Sequence, residues 1–326
     1  MKSFPALLLL FLFNGLKAQN VFYWKWQSPN DTLQITGRLN VEGATVVRLN
    51  KTIIKTDFAF LYRTIDEISY KHWSAYQKTV TALSEATVQP FKDQLMQCNR
   101  IVVEMDSSLL ALPVEFLQIQ KEALALFRPM VFTVAGFTKK NSPDTLSLHK
   151  GFIFRDPTSD PEDACTATFQ RYPSSTFRST YRIKPEGLHF KPGADFLLMS
   201  AHGFADSVTL RGCVFAQEAP VKPSIFINSP FKLVYVDGCQ QGINWSYIKA
   251  LAQRDNTAFY LGPVVSNDSG ESSTKTINWF FAHLKETSDP VMALWQTRKD
   301  LHRHYKGCIR GMDVVNKSFI FRIYKI

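Results

Sequence analysis

The chain has 326 residues, 45% of them apolar and 13% aromatic, with 20% charged and a formal net charge of +10. That composition excludes an intrinsically disordered chain and is enough for one large core or two modest ones. Five cysteines are too few for a disulfide scaffold, and Lys and Arg are scattered without a run of five or six, which argues against a dedicated nucleic-acid surface.

In chain order, the opening MKSFPALLLLFLFNGLKAQN has the layout of an export signal. Lys2 precedes an apolar run at 4–13, too short to span a bilayer as a helix, and a polar stretch ends at Ala18. Loss of residues 1–18 would remove Lys2 and Lys17 and lower the formal charge from +10 to +8. The expected location is therefore the periplasm or the exterior. No stable membrane insertion is expected, since no later apolar run is long enough. Residues 19–75 read as a β-rich extension: DTLQITGRLNVEGATVVRLNKTIIKT alternates between polar and apolar and carries turn signals at PND and EG. The alternation of KTIIKTDFAFLYR suits a half-buried strand.

From residue 76 the pattern changes. Short apolar runs recur: RIVVEM (100–105), MVFTVAG (130–136), GFIFRD (151–156), FLLMSAHG (196–203), KLVYVDG (232–238), AFYLGPV (258–264) and SFIFRIYKI (318–326). Apolar on both sides and rich in β-branched or aromatic residues, they suit strands buried on both faces of a parallel sheet. Helical patterns lie between them, including SAYQKTVTALSEATVQPFKDQL before the first and INWSYIKALAQRD after Cys239. STKTINWFFAHLKE and DPVMALWQTRKDLHRHY follow the sixth. Strands alternating with helices predict an α/β fold over 76–326: three layers, α/β/α, around a mostly parallel sheet. Residues 157–191 are polar and loop-rich, with one short helix expected around 162–171.

The cysteines are Cys98, Cys165, Cys213, Cys239 and Cys308. An odd number leaves at least one thiol unpaired, and the other four could pair in three ways. His302 and His304, two apart on a predicted helix, point in different directions, so no metal site is read there. No cofactor is expected.

Ligands in open α/β sheets bind beyond the carboxyl ends of strands. Two runs end in unusual tips: one places His202 and Gly203 just past 196–200, the other places Cys239 just past 233–236. If the strands are neighbours, the two side chains converge on one cleft. A thiolate is a nucleophile, and an adjacent imidazole lowers the thiol's pKa or shuttles its proton. Flanking glycines permit tight turns and let a substrate carbonyl approach backbone N–H groups. The bland alternative is that each residue is structural, since an unpaired cysteine commonly acts as a small hydrophobe.

These segments carry a resemblance. FLLMSAHGFAD resembles the strand-His-Gly-Phe segment of CHAT domains, caspase-like cysteine-protease relatives grouped with separase, gingipain and caspases. KLVYVDGCQQG is similar to their strand, small residue, Cys, two residues and Gly. RIVVEMDSSLLALPVEFL resembles the upstream strand with its LPFEAL-like turn, and the segment from AFYLGPVV to TRKDLH resembles the later strand, Pro-containing loop and two helices. The likeness covers about 76–306. It implies a caspase-like α/β/α fold and hydrolysis of peptide bonds in a protein or peptide substrate. His202 would be the catalytic histidine and Cys239 the nucleophile, with the N–H groups of Gly203 and Cys239 as oxyanion hole. Gln240 stands where an acidic residue is common, which puts a basic P1 preference in doubt. The loop 264–276 is expected to border the cleft, and Asp237, Gln240, Ser266 and Asp268 are the candidate substrate contacts.

Two other readings remain open. An α/β-hydrolase with a cysteine nucleophile needs Gly-x-Cys-x-Gly, but Asp237 and Gln241 occupy those glycine positions, and His283, His302 or His304 would have to serve as base. A catalytically inactive caspase-fold binding or scaffolding module is the non-enzymatic reading.

Overall fold

The computed structural model describes residues 20–29, 33–40, 46–49, 55–67, 72–137, 143–179, 193–216, 219–254, 259–268 and 270–326; the export signal expected at 1–18 lies outside them. Among the described residues eleven strands form one sheet. From one edge to the other they are Val46–Leu49, Gln34–Asn40, Val21–Gln27, Arg100–Met105, Met130–Val134, Phe321–Lys325, Phe259–Pro263, Leu233–Asp237, Phe196–Ser200, Gly151–Arg155 and Thr176–Ser179.

The fold is α/β with a mostly parallel sheet, as the alternation of apolar runs and helical patterns predicts. From Val21–Gln27 to Thr176–Ser179 the sheet consists of two parallel blocks of opposite sense, with the antiparallel Gln34–Asn40 beyond them. Phe321–Lys325 runs antiparallel to Phe259–Pro263 on one side and parallel to Met130–Val134 on the other. The five strands from Phe259–Pro263 to Thr176–Ser179 are mutually parallel, so their carboxyl ends share one edge of the sheet. In Phe196–Ser200, Leu233–Asp237 and Phe259–Pro263 every residue is buried, which requires cover on both faces. Part of that cover comes from the helix Glu271–Thr287, whose Phe280 and Phe281 pack on Tyr235 and Phe196. Asp289 starts Pro290–Lys306 cleanly: its carboxylate accepts from the N–H groups of Val291 (2.9 Å) and Met292 (3.1 Å), and Pro290 fits the first turn. No helix among the described residues is long and apolar enough to cross a membrane.

The extension is not a separate layer. Val21–Gln27 alternates burial as expected for a half-buried strand, pairs antiparallel with Gln34–Asn40, and pairs parallel with Arg100–Met105. The strand expected within KTIIKTDFAFLYR is corrected: Lys55–Asp66 is a helix. Phe58, Leu61, Tyr62 and Ile65 are buried, and their spacing of three, four and seven is a helical stripe. Local alternation competed with that longer period, and packing favoured the helix.

A buried ion pair anchors the middle of the sheet. Arg322 and Glu115 are both inaccessible to solvent, with Nε–Oε1 at 2.9 Å and Nη2–Oε2 at 2.5 Å. Arg322 also donates to the carbonyls of Leu110 and Leu112, at 2.5 and 2.6 Å, so the turn of LALPVEF is tied to the central strand. All five cysteines are free, so none of the pairings open in the sequence forms.

Candidate active site

Strand register brings the two tips together. Ser200 and Asp237, the last residues of neighbouring strands, are direct partners. His202 and Cys239 each stand two residues further along and leave the same sheet edge side by side. The Ala201 N–H continues the ladder to Asp237 O at 3.1 Å. Gly151–Arg155, on the far side of the histidine strand, delivers Asp156 and Thr158 to this edge. Phe259–Pro263, beside the cysteine strand, delivers Asn267.

His202 is exposed, and its orientation is set by Thr158. The Thr158 hydroxyl donates its one proton to Asp156 Oδ1 at 2.7 Å, so its oxygen accepts from His202 Nε2, 3.0 Å away. This places the ring proton on Nε2 and leaves Nδ1 as the basic nitrogen.

The Cys239 thiol is half-buried and donates to Asn267 O at 3.5 Å. No hydrogen bond joins it to His202 among the described residues. Burial pushes the thiol above its ordinary value; the Asn267 contact opposes this, and the Asp237 and Asp66 carboxylates add to it. In this geometry desolvation outweighs the neighbouring donors. For proton transfer to occur, the thiol must leave Asn267 and turn toward His202.

The Gly203 N–H lies on the side of its strand that faces the cysteine turn, as does that of Ala205, which donates to Gln240 Oε1 at 3.2 Å. Gly203 opposes Val214 in a small antiparallel sheet, and the adjacent Phe215 N–His202 O bond (2.8 Å) makes this a non-hydrogen-bonded pair, so the Gly203 N–H faces away from its partner strand.

The glycines beside Cys239 have a role other than the one read from sequence. A Cβ on Gly238 would lie 2.8 Å from Ala201 O, and one on Gly242 would lie 2.5 Å from Gly262 O. They let neighbouring strand ends pack backbone against backbone. Gln240 carries the strain of this turn, with φ at +60° in the left-handed region. Three bonds hold it there: its N–H to Val265 O at 3.1 Å, its Nε2 to Asp66 Oδ2 at 3.0 Å, and its Oε1 from the Ala205 N–H at 3.2 Å.

Each candidate substrate contact has a partner within the protein, for Ser266 through its backbone. Asp237 is 3% exposed and accepts from Ser200 Oγ (2.8 Å), Ser273 Oγ (2.6 Å) and Asn267 Nδ2 (2.7 Å), so it is a buried hub behind the cysteine. Burial pushes its carboxyl up to about 6, against those three donors. The Ser266 N–H is held by Asp66 Oδ1 at 2.6 Å, and Asp268 pairs with Lys317 at 3.1 Å. The loop at 264–268 does lie against Cys239, but through Asn267. Gln241, fully buried, donates to Phe204 O (3.1 Å), Cys213 O (3.3 Å) and Cys239 O (3.1 Å), stapling the strand after His202 to the cysteine turn.

Sequence reasoning missed Thr158, Asp156, Asn267, Gln241 and Asp66. The first two immediately follow an apolar strand, a signal that was available. Asp66 had none: it lies 174 positions before its partner Gln240, on the helix taken for a strand. The histidines needed by an α/β-hydrolase are engaged elsewhere, His283 with Asp300 at 2.9 Å, His304 with Glu271 at 3.2 Å, and His302 stacked on Phe319.

No family model matches the chain, and no curated protein matches it. Among solved structures, one described as "Structure of Protease" is similar over 72% of this chain and 67% of its own, at 12% identity and a TM-score of 0.46.

Proposed function

We propose that this chain is an exported, CHAT-type cysteine endopeptidase that hydrolyses peptide bonds through His202 and Cys239. The observation that supports the reading is the register of two adjacent parallel strands, Ser200 opposite Asp237, with His202 and Cys239 each two residues past the end of its strand at one edge of the sheet. In the reaction, His202 Nδ1 takes the Cys239 proton and the sulfur attacks the scissile carbonyl. The Gly203 and Cys239 N–H groups stabilise the oxyanion, a donor of this kind being worth about 3–4 kcal/mol of barrier. His202 then protonates the leaving amine, and water hydrolyses the thioester. Thr158 and Asp156 keep the ring in the tautomer this sequence of transfers requires.

A second reading, a protease-fold module that binds without cleaving, is favoured by one observation: the Cys239 thiol is held on Asn267 O with its pKa raised. Turnover of a peptide library by the wild type, His202→Ala, Cys239→Ala and the double variant separates the two. Both single variants are expected to lose cleavage as completely as the double variant, because nucleophile and base act as a unit. Thermal melts should stay near wild type, since both residues lie at strand ends. Near-native turnover by His202→Ala refutes the dyad, and no cleavage by the wild type supports the binding module.

A further inference from the structure

A cavity of about 570 Å³ shares no residue with the site above. It is open to solvent on one side and bordered by the helix Met312–Phe319, the hairpin formed by Gln118–Ile119 and Glu122–Ala123, the start of Trp73–Thr87 and the end of Pro290–Lys306. The volume lies in the range of drug-sized ligand pockets. Part of its lining is aromatic. Trp73 and Tyr76 stack at 5.4 Å with an interplanar angle of 18°, and the His302 ring stacks on Phe319 at 5.5 Å. Burial, aided by Lys306, lowers the His302 pKa and keeps this ring neutral, and its Nδ1 is buried without a partner among the described residues.

The rim has a different character. Lys121, Lys306 and Arg310 are exposed lining residues with no carboxylate partner among the described residues, against one lining carboxylate, Glu122. Lys121 is held at the mouth by a strained turn: Gln120 and Lys121 have φ of +51° and +68°, two consecutive left-handed residues without a glycine. Positive φ at both central residues is what a two-residue hairpin turn between Ile119 and Glu122 demands, so the hairpin itself fixes where Lys121 stands. Unpaired cations around a stacked aromatic floor match a negative group joined to a flat apolar body.

The helix Met312–Phe319 connects this cavity to the Cys239 edge. Val314, Val315 and Phe319 line the cavity. On the same helix, Asn316 Nδ2 donates to Ile65 O at 3.3 Å, one residue before Asp66. Lys317 pairs with Asp268 at 3.1 Å in the loop that carries Asn267. A shift of this helix is thus delivered to both segments that hold the Cys239 turn.

We propose that the cavity is a binding site for a small anion with a flat aromatic body, an aryl carboxylate, sulfonate or phosphate, and that its occupancy alters the reactivity of Cys239. The second clause rests on the reading of Cys239 as a functional thiol; the first does not. The test uses 8-anilinonaphthalene-1-sulfonate with the folded protein, followed by fluorescence. Saturable binding at one site, in roughly the micromolar range, is expected. The uncharged N-phenyl-1-naphthylamine should bind at least about tenfold more weakly, as should the anion to Lys121→Glu/Arg310→Glu, both changes being at exposed positions. Equal binding of the neutral analogue, equal binding by a variant with an unchanged melt, or no saturation overturns the site. If the variant loses its native melt, the comparison of the two probes on the unaltered protein decides. For the coupling, the rate of Cys239 alkylation by iodoacetamide should change at least about twofold at saturating probe. An unchanged rate alongside saturable binding overturns the coupling and leaves the site standing. Neither readout requires peptide cleavage, so failure here is distinguishable from failure of the peptidase reading.

Discussion

Replacing Asp237 by Asn tests the electrostatics of the site in one step. The carboxyl is 3% exposed, and burial raises its pKa from 3.8 to about 6 despite three hydrogen-bond donors. A raised carboxyl means that the native state binds more protons than the unfolded chain between those values, so stability falls as pH rises through them. The contribution is fully present below about pH 4 and is lost above about pH 6. At about 1.4 kcal/mol per pH unit, the displacement corresponds to about 3 kcal/mol. Asn can satisfy the same partners: its carbonyl accepts from Asn267 Nδ2, and its amide donates to the Ser200 and Ser273 hydroxyls, which can accept. The assay is urea unfolding of the wild type and Asp237→Asn from pH 4 to 7.5, read as the difference between them so that carboxylates common to both cancel. The wild type should lose about 2 kcal/mol relative to the variant across that range, most of it between pH 4 and 6. A difference independent of pH, or one of opposite slope, refutes the assignment of Asp237 as a desolvated carboxyl.

Three further outcomes follow from the same geometry. Glu115→Gln leaves Arg322 as an uncompensated buried cation and should cost about 3–5 kcal/mol, whereas replacing both partners by apolar residues should cost less; urea unfolding of the single and double variants checks this, and equal losses refute it. Gly238→Ala sets a Cβ 2.8 Å from Ala201 O, a backbone atom with little room to yield. It should cost about 1–3 kcal/mol and reduce peptide turnover, measured by melts and initial rates. Asp66→Ala strands the Gln240 amide and the Ser266 N–H, costing about 1–3 kcal/mol. With the left-handed turn loosened, kcat should fall about tenfold with little change in KM; unchanged kcat would show that the clamp does not position the nucleophile.

Much of the architecture was legible in the one-dimensional pattern. Runs such as FLLMS and LVYVD are apolar at every position because both faces of a covered parallel sheet are buried, and that signal needs no tertiary information. The helix Pro290–Lys306 was likewise readable from its Asp289–Pro290 start. The helix Lys55–Asp66 was not, because a short alternating stretch and a stripe at three, four and seven fit the same letters. Only contact with the rest of the core chooses between them. The reversal of sense at Phe321–Lys325 was equally hidden, since strand direction within a sheet depends on chain connections and not on composition.

The functional edge divides along the same line. Sequence alone determined that His202 and Cys239 stand at the tips of two apolar strands, because a strand's end is marked locally by where the apolar run stops. Tertiary structure decided that those strands are neighbours in matched register, that Gly238 and Gly242 serve backbone packing, and that Asp237 is buried behind the thiol. It also decided which distant groups complete the edge: Thr158 for the imidazole, Asn267 for the sulfur, and Asp66, 174 positions from Gln240. The physical reason is that hydrogen bonding and desolvation act over a few ångströms of space regardless of sequence separation. No local spacing records a partner supplied by another strand or helix, nor the burial that sets a carboxyl or a thiol away from its ordinary pKa.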